Sequence, residues 1–232
     1  MPLIATLVSN PAGRALSPAL ANMAAKAASA SEVRWLADGV ACDIALPDGL
    51  TQAEALSVLR AALDGQPIDV AVQEQAGRRK KILIADMDST MIDQECIDEL
   101  ADEVGLKAHV AAITARSMNG EIAFEPALRE RVALLRDLDT AVIGRIVETR
   151  LTLASGGREL VATMRANGAW TALVSGGFDV FTSLVAAKLC FDENRANRLI
   201  ERDGRLTGEV AEPILGREAK AEALVEISAR LG

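Results

Sequence analysis

The sequence predicts an α/β core with a helical segment inserted into it, preceded by a smaller α+β domain. Three observations predict it. Two short continuous apolar runs, Ile82–Ala85 and Trp170–Val174, read as strands buried on both faces, the pattern of a parallel sheet. Between them, helical periodicity persists over residues 92–150, with short breaks at Gly105, Gly120 and Leu138. Ahead of both, about the first 75 residues follow the order β-α-β-β-α-β, the split-βαβ pattern.

Residues 3–9 (LIATLVS) read as a strand and residues 17–28 as an alanine-rich helix. Residues 33–46 are extended and fold on themselves at Asp38-Gly39. A second helix over 52–63 carries Ala55, Leu56, Leu59 and Leu63 at helical spacing, and Ile68–Val72 closes the set as a strand. Gln73–Lys81 is a polar and basic connector, which puts a boundary near residue 77 and divides the chain into 1–77 and 78–232. After the Ile82–Ala85 strand, residues 92–104 place Ile92, Cys96, Ile97, Leu100 and Val104 on one helical face. Helices over 107–116, 124–136 and 139–150 follow. A helix over 157–167 stops at Asn167-Gly168, and a further helix follows Gly177. Residues 196–210 hold two extended runs around Asp203-Gly204, a hairpin signal, and a helix over about 217–231 ends the chain.

Composition narrows the chemistry. The 232 residues are half apolar, enough for one large or two modest cores. A net charge of -8 argues against a nucleic-acid partner, which needs clustered Lys and Arg. The one compact basic run, Arg78, Arg79, Lys80 and Lys81, reads as a solvated linker end. Cys42, Cys96 and Cys190 are few and unclustered, which fits a reducing, cytoplasmic setting and offers no disulfide frame. No apolar run approaches the ~20 residues that span a bilayer, so no membrane partner is expected. His109 is the only histidine and lies in a helical segment, which makes serine-histidine or cysteine-histidine catalysis improbable.

The Ile82–Ala85 run leads directly into Asp86-Met87-Asp88-Ser89-Thr90. Ligands of open α/β sheets bind outside the carboxyl ends of strands, so chemistry is expected there. Two carboxylates one residue apart need a positive group beside them, and hard oxygen ligands favour magnesium over zinc. One carboxylate can attack phosphorus while the other moves protons. The structural alternative is that Asp88, Ser89 and Thr90 simply cap the helix that follows. At the next strand end, Val174-Ser175-Gly176-Gly177 offers the Ser175 hydroxyl and the Gly176 amide to phosphate oxygens, although a plain strand-to-helix turn also explains its glycines. Lys220, near the start of the last helix, supplies a positive charge; alone it would read as a surface lysine.

In this order, DxDST, SGG and the downstream lysine resemble the first three motifs of haloacid-dehalogenase phosphatases, over about residues 82–231, and are closer still to the phosphoserine phosphatase branch. The resemblance implies a HAD-like Rossmannoid parallel sheet with a helical cap at about residues 92–152. It implies Asp86 as nucleophile, Asp88 as acid/base, and Ser175, Gly176 and Lys220 as phosphate-binding groups. It implies Mg2+ held by the Asp86 carboxylate, the Asp88 main-chain carbonyl and an aspartate from a fourth motif. In the cap, Met118 and Phe124 match residues that shield the site, Glu95 one that pairs with an ammonium, and Arg131 one that grips a carboxylate. Together these imply hydrolysis of O-phospho-L-serine in serine biosynthesis.

Plainer readings stand beside these roles: Glu95 as a solvated helix residue, Arg131 paired with Glu125 or Glu130, and Met118 and Phe124 as ordinary packing. Another small-molecule phosphatase of the superfamily and a non-catalytic amino-acid-binding regulator are the rival functions. The β-α-β-β-α-β segment resembles an ACT-like domain in topology alone; such a fold binds an amino acid at an interface or dimerises, and dimerisation (a homodimer through this domain) or simple packing is the favoured reading.

The family continues into another strand ending in a Gly-Asp-Gly-x-x-Asp type motif, and the sequence ends at Gly232 before it. A magnesium site with two protein ligands is expected to bind weakly, and these residues alone are expected to turn over slowly. A shortened chain or a loss-of-catalysis variant is therefore expected. The Ile82–Ala85 strand is expected to form an open edge.

Overall fold

Alternation in LIATLVS makes a strand, β1 (Leu3–Ser9), whose Ala5 and Leu7 face a helical layer while Thr6 faces the other way. It lies in the first of two units, Met1–Lys80 and Lys81–Gly232, of a computed structural model that describes residues 1–232. The first unit continues with α1 (Pro18–Ala27), β2 (Val33–Ala37), β3 (Ala41–Ala45), α2 (Gln52–Ala62) and β4 (Ile68–Glu74). Its strands form one antiparallel sheet in the order β2-β3-β1-β4. Both helices start where the sequence supplies a cap. The Ser17 hydroxyl accepts from the Leu20 amide with Pro18 in the first turn, and Thr51 and Glu54 cap each other's backbone amides. The helices bury Ala21, Ala24, Ala55 and Leu59 against Ala5, Leu7, Cys42 and Ile44.

On the other face of this sheet Thr6 lies opposite Asp43, whose carboxylate is only 2% exposed. A buried charge needs a partner, and Arg78 supplies it with two hydrogen bonds of 2.6 Å; the Thr6 hydroxyl adds one of 2.9 Å. The basic run is thus not wholly a solvated linker end, because Arg78 answers a buried carboxylate that sequence periodicity does not reveal. Burial alone would raise the Asp43 carboxyl, but bonds from Arg78 and Thr6 outweigh it and hold the group below the ordinary carboxylate range. The stabilisation this implies is present above the ordinary carboxylate pKa and lost as pH falls through the folded value.

The second unit starts with β5 (Ile82–Ala85). Four helices follow, α3 (Cys96–Glu103), α4 (Lys107–Met118), α5 (Phe124–Ala133) and α6 (Ala141–Thr149), then α7 (Gly157–Ala166) and β6 (Trp170–Phe178). Helix α8 (Asp179–Leu189) leads into β7 (Glu193–Asn197), the hairpin β8 (Leu199–Arg202) and β9 (Arg205–Val210), and α9 (Ala219–Leu231). Strands β5, β6 and β7 form a parallel sheet in that order. On one face Ala172 and Val174 meet Ala223 and Ile227 of α9; on the other, Leu173 and Phe178 join a large core with Leu100, Leu128, Val161 and Phe181. An α/β fold with a parallel sheet therefore stands. β5 pairs with β6 alone and its first three residues are only partly buried, so it is an edge strand.

Three details differ from the sequence reading. Helix α3 starts at Cys96, not at residue 92, because residues 87–92 fold into a turn in which the Met87 carbonyl accepts from the amides of Thr90, Met91 and Ile92. Ile92 instead bridges to Leu153. Strand β7, sequence ENRAN, escapes pattern reading because its polar side chains conceal a strand of the parallel sheet that pairs with β6. Finally, Ser175, Gly176 and Gly177 continue β6 through an irregularity in its register and do not follow it as a turn.

Candidate active site

The carboxyl ends of β5 and β6 open into one cavity of about 180 Å³, room for a small molecule but not a polymer. Asp86, Asp88, Glu95, Phe124, Arg131, Ser175 and Gly176 all line it. Lys220 reaches the same place through Asp86, its Nζ donating to Asp86 Oδ2 at 2.8 Å. These eight sequence-predicted residues meet although they are spread over five segments of chain, because parallel strands put every βα junction on one side of the sheet.

Asp86 is fixed at both oxygens: Oδ2 by Lys220, and Oδ1 by the Met87 amide at 2.9 Å. Asp88 Oδ1 accepts from the amide of Cys96, the first residue of α3, at 3.0 Å. Asp88 therefore does cap this helix, from eight residues upstream, and it lines the cavity as well. Burial pushes its carboxyl up to about 6, against the hydrogen bonds from Cys96 and with further help from the charges of Glu95 and Asp86. A carboxyl raised in this way can both give and take a proton near neutrality.

Ser89 stands between the two carboxylates and the helix in a left-handed conformation, φ +51°, and its hydroxyl donates to Glu95 Oε1 at 2.6 Å. The turn thus holds Glu95 at the cavity wall. From α5, Phe124 lies over Gly176, where an added Cβ would come 3.0 Å from the ring, and Arg131 enters from the next turns, 8% exposed. Neither Glu125 nor Glu130 pairs with Arg131; Glu125 is taken by Arg129. Ser175, 2% exposed, accepts the Gly177 amide on its Oγ at 2.9 Å, which leaves its proton free for a ligand.

Met118 does not reach the cavity. It is 83% exposed at the end of α4, whose buried face is set by Val110 and Ile113; five residues past Ile113, a side chain has rotated to the opposite side. Sequence reading also missed the walls Ile97, Leu128, Gly177 and Phe178 and the buried staple Asn197. Asn197 Nδ2 donates to the carbonyls of Gly176 (2.8 Å) and Leu215 (3.2 Å), while its Oδ1 accepts the Leu215 amide (2.7 Å). It ties the Ser175 segment to the loop that leads to Lys220. A lone Asn in a polar run carries no signal of this.

Gly177 is a test of how tightly the site is built. A Cβ there would lie 2.6 Å from Asp88 Oδ2 and 3.1 Å from Ser175 Oγ. Gly177→Ala is expected to leave the fold intact, since a carboxylate end can swing aside, and to lower the rate by roughly a hundredfold through that displacement. Steady-state rates beside thermal melts check it; an alanine variant with undiminished rate would show that the position of Asp88 is not critical.

No group of three or more carboxylate, imidazole or thiolate side chains gathers to hold a metal. Nor is any helix long and apolar enough to cross a membrane.

Comparison with known proteins points the same way. Residues 83–232 match the family of haloacid dehalogenase-like hydrolases. A phosphoserine phosphatase of Methanocaldococcus jannaschii is 40% identical over 151 residues, 65% of this chain and 71% of that protein. The phosphoserine phosphatase SerB2 of Mycobacterium tuberculosis is 34% identical over 224 residues, covering 94% of this chain and 54% of the relative. Relatives from Archaeoglobus fulgidus and a Polaromonas species are spanned over 53% and 73% of their lengths, so the chain matches about half to three quarters of such proteins. Among solved structures, a substrate-bound phosphoserine phosphatase complex aligns with TM-score 0.62 at 39% identity, over 67% of this chain and 73% of the other. A HAD family hydrolase from Salmonella enterica serovar Typhi aligns with TM-score 0.83 at 26% identity, over 99% of this chain and 79% of the other.

Proposed function

This chain belongs to the haloacid dehalogenase-like hydrolases, and from that premise we propose that it is a phosphoserine phosphatase releasing L-serine and phosphate. The observation that carries the substrate is the pairing of Glu95 and Arg131 in the same cavity as Asp86 and Asp88. A carboxylate and a guanidinium beside a phosphoryl-transfer pair match the ammonium and carboxylate of an amino acid, and a sugar phosphate has neither.

In this reading an Asp86 oxygen attacks phosphorus, the bond from phosphorus to the serine oxygen breaks, and Asp88 gives its proton to the departing alkoxide. Asp88, now ionised, takes a proton from water as that water attacks the aspartyl-phosphate, which frees phosphate and restores Asp86. Ser175 and the Gly176 amide hold phosphoryl oxygens, and Lys220 offsets their charge. Helices α3 to α6 act as the cap, with Phe124 limiting access by water.

The donors suit magnesium in kind. Two of the cavity's carboxylates, Asp86 and Asp88, stand one residue apart, and magnesium is commonly bound by one or two carboxylates together with substrate phosphate and water. The Asp86 carboxylate and the Asp88 main-chain carbonyl would hold it. When bound, it supplies neutralisation of phosphoryl charge. For the first unit, the antiparallel order β2-β3-β1-β4 supports an ACT-like module.

The substrate reading is tested with Arg131→Ala and Glu95→Gln, comparing phosphoserine with a sugar phosphate in the presence of magnesium. Arg131→Ala is expected to lower kcat/KM for phosphoserine by roughly a hundredfold, and Glu95→Gln by about tenfold, with little change for the sugar phosphate. Equal losses on both substrates would assign these residues to general packing and leave the substrate open.

A further inference from the structure

Arg131 is held in an unusual way for a buried cation. Its Nε donates to the Ala127 carbonyl one turn back, at 3.1 Å, and its Nη1 to the Thr114 hydroxyl on α4, also at 3.1 Å. No carboxylate reaches ion-pair distance, whereas its neighbour Arg129 pairs with both Glu125 and Glu212. Burial lowers the Arg131 pKa, and the charges of Asp98 and then Glu95 oppose that through space. The negative charge offsets the burial of the guanidinium only in part and occupies none of its donors, and one Oδ of Asp98 is itself buried with no hydrogen-bond partner.

The Thr114 hydroxyl has a single proton, and that proton goes to the Val110 carbonyl at 3.1 Å. Its lone pairs are thereby turned toward the guanidinium, which can only donate. Nε is fixed by the helix backbone and Nη1 by Thr114, while Nη2 carries no hydrogen bond.

We propose that Thr114 is a positioning residue for substrate choice: by fixing Nη1 it presents the free Nη2 of Arg131 to the carboxylate of an amino-acid phosphomonoester. This rests on the reading of the cavity as a phosphoserine site. Thr114 lies outside the cavity wall and touches substrate only through Arg131. Its removal therefore costs recognition of one substrate group and leaves phosphoryl chemistry to Asp86 and Asp88.

The test measures kcat/KM of the full chain, with magnesium, for phosphoserine and for phosphoethanolamine, which lacks only the carboxylate. The unsubstituted protein is expected to prefer phosphoserine, and Arg131→Ala to lose that preference. Thr114→Val is expected to reduce it about tenfold, the effect of one hydrogen bond to a charged group, and Thr114→Ser to restore it. Thr114→Ala removes the acceptor without adding a methyl and carries the same expectation should valine disturb packing. A full preference in Thr114→Ala, or none in a folded Thr114→Ser, overturns the assignment while Arg131→Ala still behaves as stated. If the unsubstituted protein shows no preference, the phosphoserine reading falls, and this inference with it.

Discussion

Asp86→Asn is expected to abolish phosphoryl transfer while leaving the fold as it is. The amide oxygen keeps an acceptor for the Met87 amide, but it has no charge with which to attack phosphorus, and a lost nucleophile costs at least about a thousandfold in rate. The stability effect is small by comparison. The Lys220 to Asp86 ion pair has side chains 42% and 39% exposed, and such partly solvated pairs contribute at most about 1 kcal/mol. Rapid mixing with phosphoserine, acid quenching and mass measurement should find one phosphoryl group on Asp86 in the unsubstituted chain and none in the variant. Since this readout needs only a single turnover, it works even where steady-state turnover is slow. A phosphoryl group on any other residue, or an unchanged rate in the variant, would end the aspartyl-phosphate scheme.

Asp88→Asn is expected to slow turnover by roughly 10²- to 10⁴-fold and, at the same time, to stabilise the protein above neutrality. The Asp88 carboxyl is pushed up to about 6, mainly by burial, from its model-compound value of 3.8. Below the ordinary carboxylate pKa the group is protonated in folded and unfolded chains alike and costs nothing. As pH rises through the interval up to 6 the unfolded chain ionises first, so folding loses stability, and above 6 the full penalty is present. A shift of that size corresponds to about 3 kcal/mol, and partial access to solvent reduces it to about 2 kcal/mol. Asn keeps an acceptor for the Cys96 amide and carries no charge to desolvate. Urea unfolding in chelator should therefore show the variant more stable near pH 8 and no better near pH 3.5. A variant less stable at both would mean that the carboxylate is held by its hydrogen bond more than it is opposed by burial.

Much of the fold was legible because apolar residues have only two ways to be buried in regular structure. Period two marked β1 and β4, continuous apolar runs marked β5 and β6, and helical spacing marked α4 to α7. The same logic explains the omissions. β7 is built from Glu, Asn and Arg side chains that pair with one another or with neighbouring elements, as Arg195 does with Glu193 and Glu226, so its burial leaves no apolar trace. The start of α3 was displaced because the Met87 carbonyl and the Asp88 carboxylate compete successfully for amides that the helical pattern alone assigned to a longer helix.

The site divides along the same line. Residue order by itself determined that Asp86 and Asp88 follow one core strand, that Ser175 and Gly176 come at the end of another, and that a lysine starts the last helix. These are local facts, fixed by which residues adjoin a strand end. Only the tertiary structure decided that Met118 faces solvent, that Arg131 has no carboxylate partner, that Asp43 requires Arg78, and that Asn197 joins two loops. Those outcomes depend on how far a helix has rotated and on which polar groups are closed off from water together. Such quantities arise from contacts between segments distant in the chain, and no window of sequence contains them.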